Sequence, residues 1–454
     1  MGPFESFRLG GRAGPKPKRR FKDQLRVLLL GLFVAWKTDP TLSIGVRMGV
    51  GDWKTSSRYN ALHLSNVIPQ PVHKLHELGM IQLSKGGYFK AGARSNRTTR
   101  IMAATPLIAL FEQHDLELAE LEPPRERELV VLRDGKNRDI EYHDTPQTNL
   151  WRAALRAYNE LLWETFIDLP DFEQPYVVRP IRAGARQGDE QRIAICGNDF
   201  AVRRVFSRGN WESNGRFFGG WWQQMSKDIR KHLHINNEAT VVIDFKGMHI
   251  AVLSKERGHP IVGDPYSLHK RAMPEDVQDK RSTLKQLILT AINARSAKAA
   301  YQAFREGQPH GSREASLTNR ELPAAIDVFV EKHPHLKECL FADEGIRLMH
   351  LDSRVAYSVI NRLTTQRVPV LCIHDSFIVA ASHQALLQQE MDRAATFVFG
   401  APLKTETTVG YRIHDPDYDD PDPLPNHLTA TAGYRRRSAW ARRQSAQAPE
   451  EELY

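Results

Sequence analysis

Apolar and polar positions alternate with different periods along this chain, and each period predicts an element. From Phe21 to Trp36, residues Leu25, Val27, Leu28, Leu29, Leu32 and Phe33 recur at helical spacing. Ser65 to Leu78 predicts a second helix, with Val72, Leu75 and Leu78 on one face and Gly79 just beyond as its cap. Between Met80 and Met102 the period shortens: Ile81, Leu83, Tyr88 and Phe89 flank Lys85-Gly86-Gly87, a hairpin signal. Asn149 to Phe166 is helical again, with Leu150, Leu155, Tyr158 and Leu161 among its apolar positions. Val241, Val242 and Ile243 form a β-branched run that ends at Asp244, ahead of Gly247, His249 and a helix-like apolar pattern from Ile250 to Leu253. Arg281 to Ala294 predicts an amphipathic helix, with Leu284, Leu287, Ile288 and Ala291 opposite a face carrying Arg281 and Lys285. Finally, Val368 to Ile373 and Phe377 to Val379 predict two buried strands that leave His374, Asp375 and Ser376 on a tight turn.

These elements fall into blocks. Residues 1–20, rich in Gly, Pro and basic residues but without Walker spacing, predict a disordered basic arm. Helices followed by a hairpin and the basic run Arg94 to Arg100 give 21–117 the look of a winged-helix-like DNA-binding domain. Residues 118–148 are highly charged around Glu122-Pro123-Pro124 and predict a linker. The larger domain follows over 149–414. Residues 415–454 hold Asp415, Asp417, Asp419, Asp420 and Asp422 between prolines, then a basic run from Arg435 to Arg443; like charges so spaced predict a disordered tail rather than a metal site. There is no internal repeat.

Charge narrows the partner. A net charge of +9 and a pI near 9.3 favour a polyanion. The excess is concentrated: residues 1–100 carry 18 Lys and Arg against 5 Asp and Glu, so the rest of the chain is slightly acidic. Three widely spaced cysteines, Cys196, Cys339 and Cys372, imply neither a disulfide framework nor a zinc site. The apolar run Val27 to Trp36 is too short to span a bilayer and lacks a cleavage signal, which predicts a cytoplasmic protein with no membrane partner.

The candidate chemistry lies at two strand ends. A carboxylate at the apex of a buried hairpin is costly unless solvated or neutralised, and a divalent cation is a natural partner. Asp375 occupies such an apex and Asp244 ends a β-branched run, and two strand-end aspartates far apart in sequence suggest a two-metal phosphoryl-transfer site. From about Arg204 to Gly410, less than half the chain, four segments in order resemble motifs of the family A DNA polymerases and the related phage-type single-subunit RNA polymerases. Ser213-Asn214-Gly215-Arg216 resembles their Thr/Asp-x-Gly-Arg element, Asp244 to Leu253 motif A, Arg281 to Ala294 motif B, and His374-Asp375-Ser376-Phe377 motif C.

The resemblance implies an α+β right-handed palm and fingers, here behind the winged-helix-like region. It implies that Asp244 and Asp375 hold two Mg²⁺ ions, that Lys285 acts on the leaving pyrophosphate, and that Arg281 and Lys285 bind the incoming triphosphate. It further implies that Arg216 contacts the primer near its terminus, with His374 bracing the turn or touching the primer backbone. DNA template-primer and nucleoside triphosphates are then the partners. Asn293-Ala294 stands where the family carries Tyr-Gly, so Asn293 is a candidate for the nucleotide's sugar or base. Asp264-Pro265-Tyr266 sits where the family has a short element before motif B.

The product sugar stays open between two readings. His249 stands where the DNA enzymes carry a glutamate that excludes the ribose 2′-hydroxyl, and its bulk favours DNA; Ser376, which ends motif C as in the RNA enzymes, favours an RNA polymerase or primase. The short interval from Arg216 to Asp244 favours DNA. No segment resembles a proofreading exonuclease. A catalytically silent DNA-binding initiator or regulator is the alternative of different class, and the retained Asp244, Asp375, Lys285 and Arg281 weigh against it.

Overall fold

A computed structural model of the protein describes residues 15–49, 56–86, 98–114, 127–180, 190–195, 200–267, 272–309, 311–410, 431–434 and 437. The chain folds as a mixture of helices and several small sheets around two separate hydrophobic clusters.

The first cluster belongs to the N-terminal part. Helix α1 (Pro15–Thr38) is longer than the apolar pattern predicts, because Pro15 and Pro17 are tolerated in a first turn whose amides have no intrahelical acceptor. Its Phe21, Leu25, Leu28, Leu32 and Phe33 are buried. Strand β1 (Ile44–Val46), helix α2 (Pro69–Glu77), strands β2 (Ile81–Ser84) and β3 (Thr99–Ala103), and helix α3 (Thr105–Gln113) complete the unit. The three strands lie in the order β1-β3-β2, all antiparallel. Gly79, at φ 67°, stops α2 and turns the chain directly into β2. The expected hairpin exists as the β2–β3 pairing, with Leu83 opposite Ile101. Its connection is far longer than a Gly-Gly turn; Tyr88, Phe89 and Arg94 lie outside the described residues.

The second cluster is built from strands β4 (Val130–Leu132), β5 (Ile167–Asp168), β6 (Tyr176–Pro180), β7 (Glu190–Ala194), β8 (Arg203–Ser207), β9 (Asn210–Phe218), β10 (His234–Ile235), β11 (Glu238–Phe245), β12 (Leu371–Ile373), β13 (Ser376–Ala380) and β14 (Thr405–Val409). Its helices are α4 (Pro146–Glu164), α5 (Lys227–Arg230), α6 (Met248–Glu256), α7 (Lys280–Asn293), α8 (Ala297–Glu306), α9 (Glu321–Lys332), α10 (Gly345–Thr365) and α11 (Gln384–Phe399). The main sheet runs β12-β13-β11-β10-β5, with β14 on the other side of β11. A second sheet, β4-β8-β9, packs through β9 against α10. The amphipathic patterns are realised: Leu284, Leu287, Ile288 and Ala291 of α7, and Leu155, Tyr158 and Leu161 of α4, are buried, whereas Leu150 faces out. Trp221 and Trp222 are core, with the Trp222 indole donating to the Cys372 carbonyl at 3.2 Å.

Three boundaries differ from those expected. Residues 15–20 of the arm belong to α1. Within the stretch read as linker, Val130 to Leu132 form a buried strand parallel to β8, a pairing too remote in sequence for local charge to reveal. Arg58 and Tyr59 of the N-terminal part fasten onto it. Arg58 donates to Asp144 at 2.9 Å, to Glu128 at 3.4 Å and to the Tyr142 carbonyl at 2.7 Å, while Arg152 of α4 grips the nearly buried Glu128 from the other side. Within the stretch read as a disordered tail, Tyr434 is buried and Arg437 pairs at 2.8 Å with the fully enclosed Asp168. The Asp415 to Asp422 cluster and the rest of the basic run lie outside the described residues. Among the described residues, no helix is long and apolar enough to cross a membrane. Cys339 and Cys372 are buried and free, and Cys196 lies outside the described residues.

Candidate functional site

The site is assembled where β11 meets the β12–β13 hairpin. Leu371, Cys372, Phe377, Ile378 and Val379 are all buried, so the hairpin ends hold firm while its two-residue loop, His374-Asp375, is pushed to the apex. His374 takes the left-handed conformation, φ 61°, that so short a loop demands. Strand β11 lies antiparallel to β13 with Ile243 opposite Phe377 and Asp244 opposite Ser376, and the Phe245 amide donates to the Asp375 carbonyl at 3.3 Å. The two aspartates thereby arrive at neighbouring positions on adjacent strands.

Their electrostatics report the crowding. Burial, then the nearby Asp375 charge, pushes the Asp244 carboxyl up to about 7, against the opposing pull of Lys285 and Lys227. Asp375 is also raised, first by burial and then by the charge of Asp352, with Arg216, a backbone amide and His249 opposing. Two crowded carboxylates whose charged forms are both disfavoured make a site that a divalent cation would relieve. Among the described residues, no group of three or more His, Cys, Asp or Glu side chains is arranged to hold a metal ion. Asp244 and Asp375 are the carboxylates here that could serve as ligands, and an ion held by two carboxylates would take its remaining ligands from water and substrate oxygens.

Arg216 and His249 meet on a residue that sequence reasoning missed. Arg216 donates through Nε to both oxygens of Asp352 at 3.0 Å and through its terminal nitrogen to Oδ2. His249 Nε2 lies 3.1 Å from the same Oδ2 and 3.4 Å from the guanidinium. The signal was present but quiet: Asp352 interrupts the apolar face of α10 formed by Leu348, Val355, Ala356 and Val359. Gly215, at φ 84°, lets β9 press against this helix, since a Cβ there would lie 2.8 Å from Ser353 Oγ and 2.9 Å from the Phe206 ring. The buried Arg204 ties the same elements by donating to the Gly215 carbonyl at 2.9 Å and to Ser353 at 3.3 Å.

The remaining predicted residues divide. His374 stands edge-on to Phe218 with its Nδ1 buried and lacking a hydrogen-bond partner. Burial first, then the Arg216 charge, pushes its pKa down to about 4, so the ring is neutral at physiological pH. Lys285 is near enough to Asp244 to oppose its rise. Arg281, one turn earlier on α7, is exposed and ion-paired with Asp264, which gives the short Asp264-Pro265-Tyr266 segment a partner in the helix. Asn293 lies at the far end of α7, donates to the Leu289 carbonyl at 2.6 Å and packs against Gly345, where a Cβ would strike its Oδ1. Lys227 and Arg230 of α5 also carry positive charge toward Asp244; no spacing in the sequence marks them.

No protein-family model matches the chain, and no curated protein matches it. Among solved structures it is similar to the POL domain of Pol1 from M. smegmatis, described as a complex with DNA primer-template and dNTP. The identity is 12% over 87% of this chain, with a TM-score of 0.31, and the chain spans 65% of that domain's length.

Proposed function

We propose that the chain is a template-dependent nucleotidyltransferase, a compact DNA polymerase of the family A kind serving replication or repair of a mobile element. The observation that carries this reading is the meeting of Asp244 and Asp375 on adjacent strands, each held in a raised-pKa state that a cation would reverse. Two bound Mg²⁺ ions would lower the pKa of a primer 3′-hydroxyl and neutralise charge on the transferring phosphoryl group. The protein's own part is positional. Lys285, with Arg281 one turn away, offers positive charge to a triphosphate on the α7 side of the carboxylates. Arg216 and His249 bring positive charge toward Asp375, and in this reading they meet a primer terminus and the sugar of an incoming nucleotide. His249 is the residue whose bulk would exclude a ribose 2′-hydroxyl.

The N-terminal part serves as the DNA-recruiting module in this reading. Its sheet order β1-β3-β2 behind α1 and α2 supports a winged-helix arrangement, and its charge supports a polyanionic partner. Arg58 ties it to the larger unit through hydrogen bonds to Asp144 and the Tyr142 carbonyl.

The test is extension of a labelled primer on a defined template by the full-length chain with Mg²⁺, with dNTPs and NTPs supplied separately. Template-directed dNTP addition is the expected result. A preference for NTPs would move the assignment to an RNA polymerase or primase, the reading that Ser376 favours. Duplex binding without incorporation of either sugar would leave the silent initiator.

A further inference from the structure

Asp352 is an expensive residue to keep. Its side chain is 0% exposed on the apolar face of α10, where an uncompensated carboxylate would be strongly unfavourable. Among the described residues the cost is offset by Arg216 and His249, which share one oxygen, Oδ2, while Arg216 also reaches Oδ1. Neither comes from α10: Arg216 is on β9 and His249 is in the first turn of α6. The guanidinium spans both carboxylate oxygens, which fixes its plane, and the imidazole fills the space left beside Oδ2. With Nε2 committed to the carboxylate, the His249 ring cannot turn without giving up that bond.

We propose that Asp352 is a positioning residue that locks Arg216 and His249 into one rigid unit, so that discrimination against ribonucleotides depends on a carboxylate that touches no substrate. The proposal rests on the nucleotidyltransferase reading and deepens it. A fixed imidazole excludes a 2′-hydroxyl because it cannot yield; a ring released from Oδ2 swings aside and admits the extra oxygen. Asp352 also joins the primer-side arginine to the sugar-side histidine, so displacement of one is felt by the other.

The experiment measures kcat/KM for a matched dNTP and its NTP counterpart, with the full-length chain on a defined primer-template. The proteins are wild type, Asp352→Asn, Asp352→Glu, His249→Ala and the double variant Asp352→Asn with His249→Ala. Asp352→Asn is expected to raise the NTP-to-dNTP ratio about tenfold, in the range a single lost steric contact gives. The double variant is expected to show no further rise over His249→Ala, since the ring that Asp352→Asn would release is already gone. Asp352→Glu keeps the charge but moves it by one methylene, and is expected to raise the ratio in the same direction; it carries the test if circular dichroism shows that Asp352→Asn does not fold. An unchanged ratio in the folded variants, or additive effects in the double variant, overturns the positioning role while wild-type extension upholds the polymerase reading. A wild type that incorporates neither sugar removes both.

Discussion

Asp244 faces Ser376 across the β11–β13 ladder, and this one register sets Asp375 beside Asp244 although more than a hundred residues separate them in the chain. Asp244→Asn and Asp375→Asn are each expected to lower Mg²⁺-dependent nucleotide addition by at least about a thousandfold while leaving duplex affinity nearly intact, because each removes a charge needed in the transition state and not in DNA binding. Incorporation assays and fluorescence anisotropy on the same preparations check the two halves. Undiminished turnover in either variant sinks the metal assignment.

The raised carboxyls have a consequence for metal-free protein. The Asp244 carboxyl titrates near 7 in the folded chain and near 3.8 when free, so between those values the folded state binds more protons than the unfolded one. Stability from this group is therefore present at low pH and is lost as pH rises through about 7. In chelator-treated samples, Asp244→Asn is expected to melt above wild type at pH 8 and to approach it near pH 4. A Tm difference independent of pH would contradict the raised value.

Arg437 tests the C-terminal contact. It is the ion-pair partner of the fully enclosed Asp168 and also donates to the carbonyls of Leu169 and Phe172. Arg437→Ala strands a buried carboxylate and is expected to cost about 3–5 kcal/mol in urea unfolding. A loss below about 1 kcal/mol, the range of an exposed pair, would mean that this segment does not stay docked in solution.

Gly215→Ala should be costly for two separate reasons. The left-handed backbone disfavours any Cβ, and the added methyl meets Ser353 Oγ and the Phe206 ring at under 3 Å. Together these are expected to cost about 2–4 kcal/mol. Thermal melts read the loss; a neutral substitution would show that β9 and α10 are less tightly pressed.

Removing residues 1–110 should weaken duplex binding and flatten its dependence on salt, since most of the excess positive charge goes with them. An unchanged slope of log K against log salt would assign this part another partner.

The helices of this chain were legible because their apolar faces repeat within a few residues, as in Leu284, Leu287, Ile288 and Ala291. The two aspartates were legible because each ends a β-branched or apolar run, a pattern complete within about ten residues. Asp352 was not singled out, since its meaning depends on partners from β9 and α6 that only folding supplies. The same holds for Val130 to Leu132, whose parallel partner β8 is far along the chain, and for Arg437, whose charge gave no hint that Asp168 lies buried opposite. Arg281 and Asn293 share α7 with Lys285, yet the fold gives them separate neighbours, Asp264 for one and Gly345 for the other.

Strand β11 is hydrogen-bonded along both edges, through five residue pairs to β13 and five to β14. A slip of one residue would turn Asp244 to the opposite face and would have to break both ladders at once. The bearing of that carboxylate is thus insulated from the length of chain running from α6 to α10. Insertions or deletions in the loops of that excursion can reshape what surrounds the carboxylates, and so what they accept, without moving them.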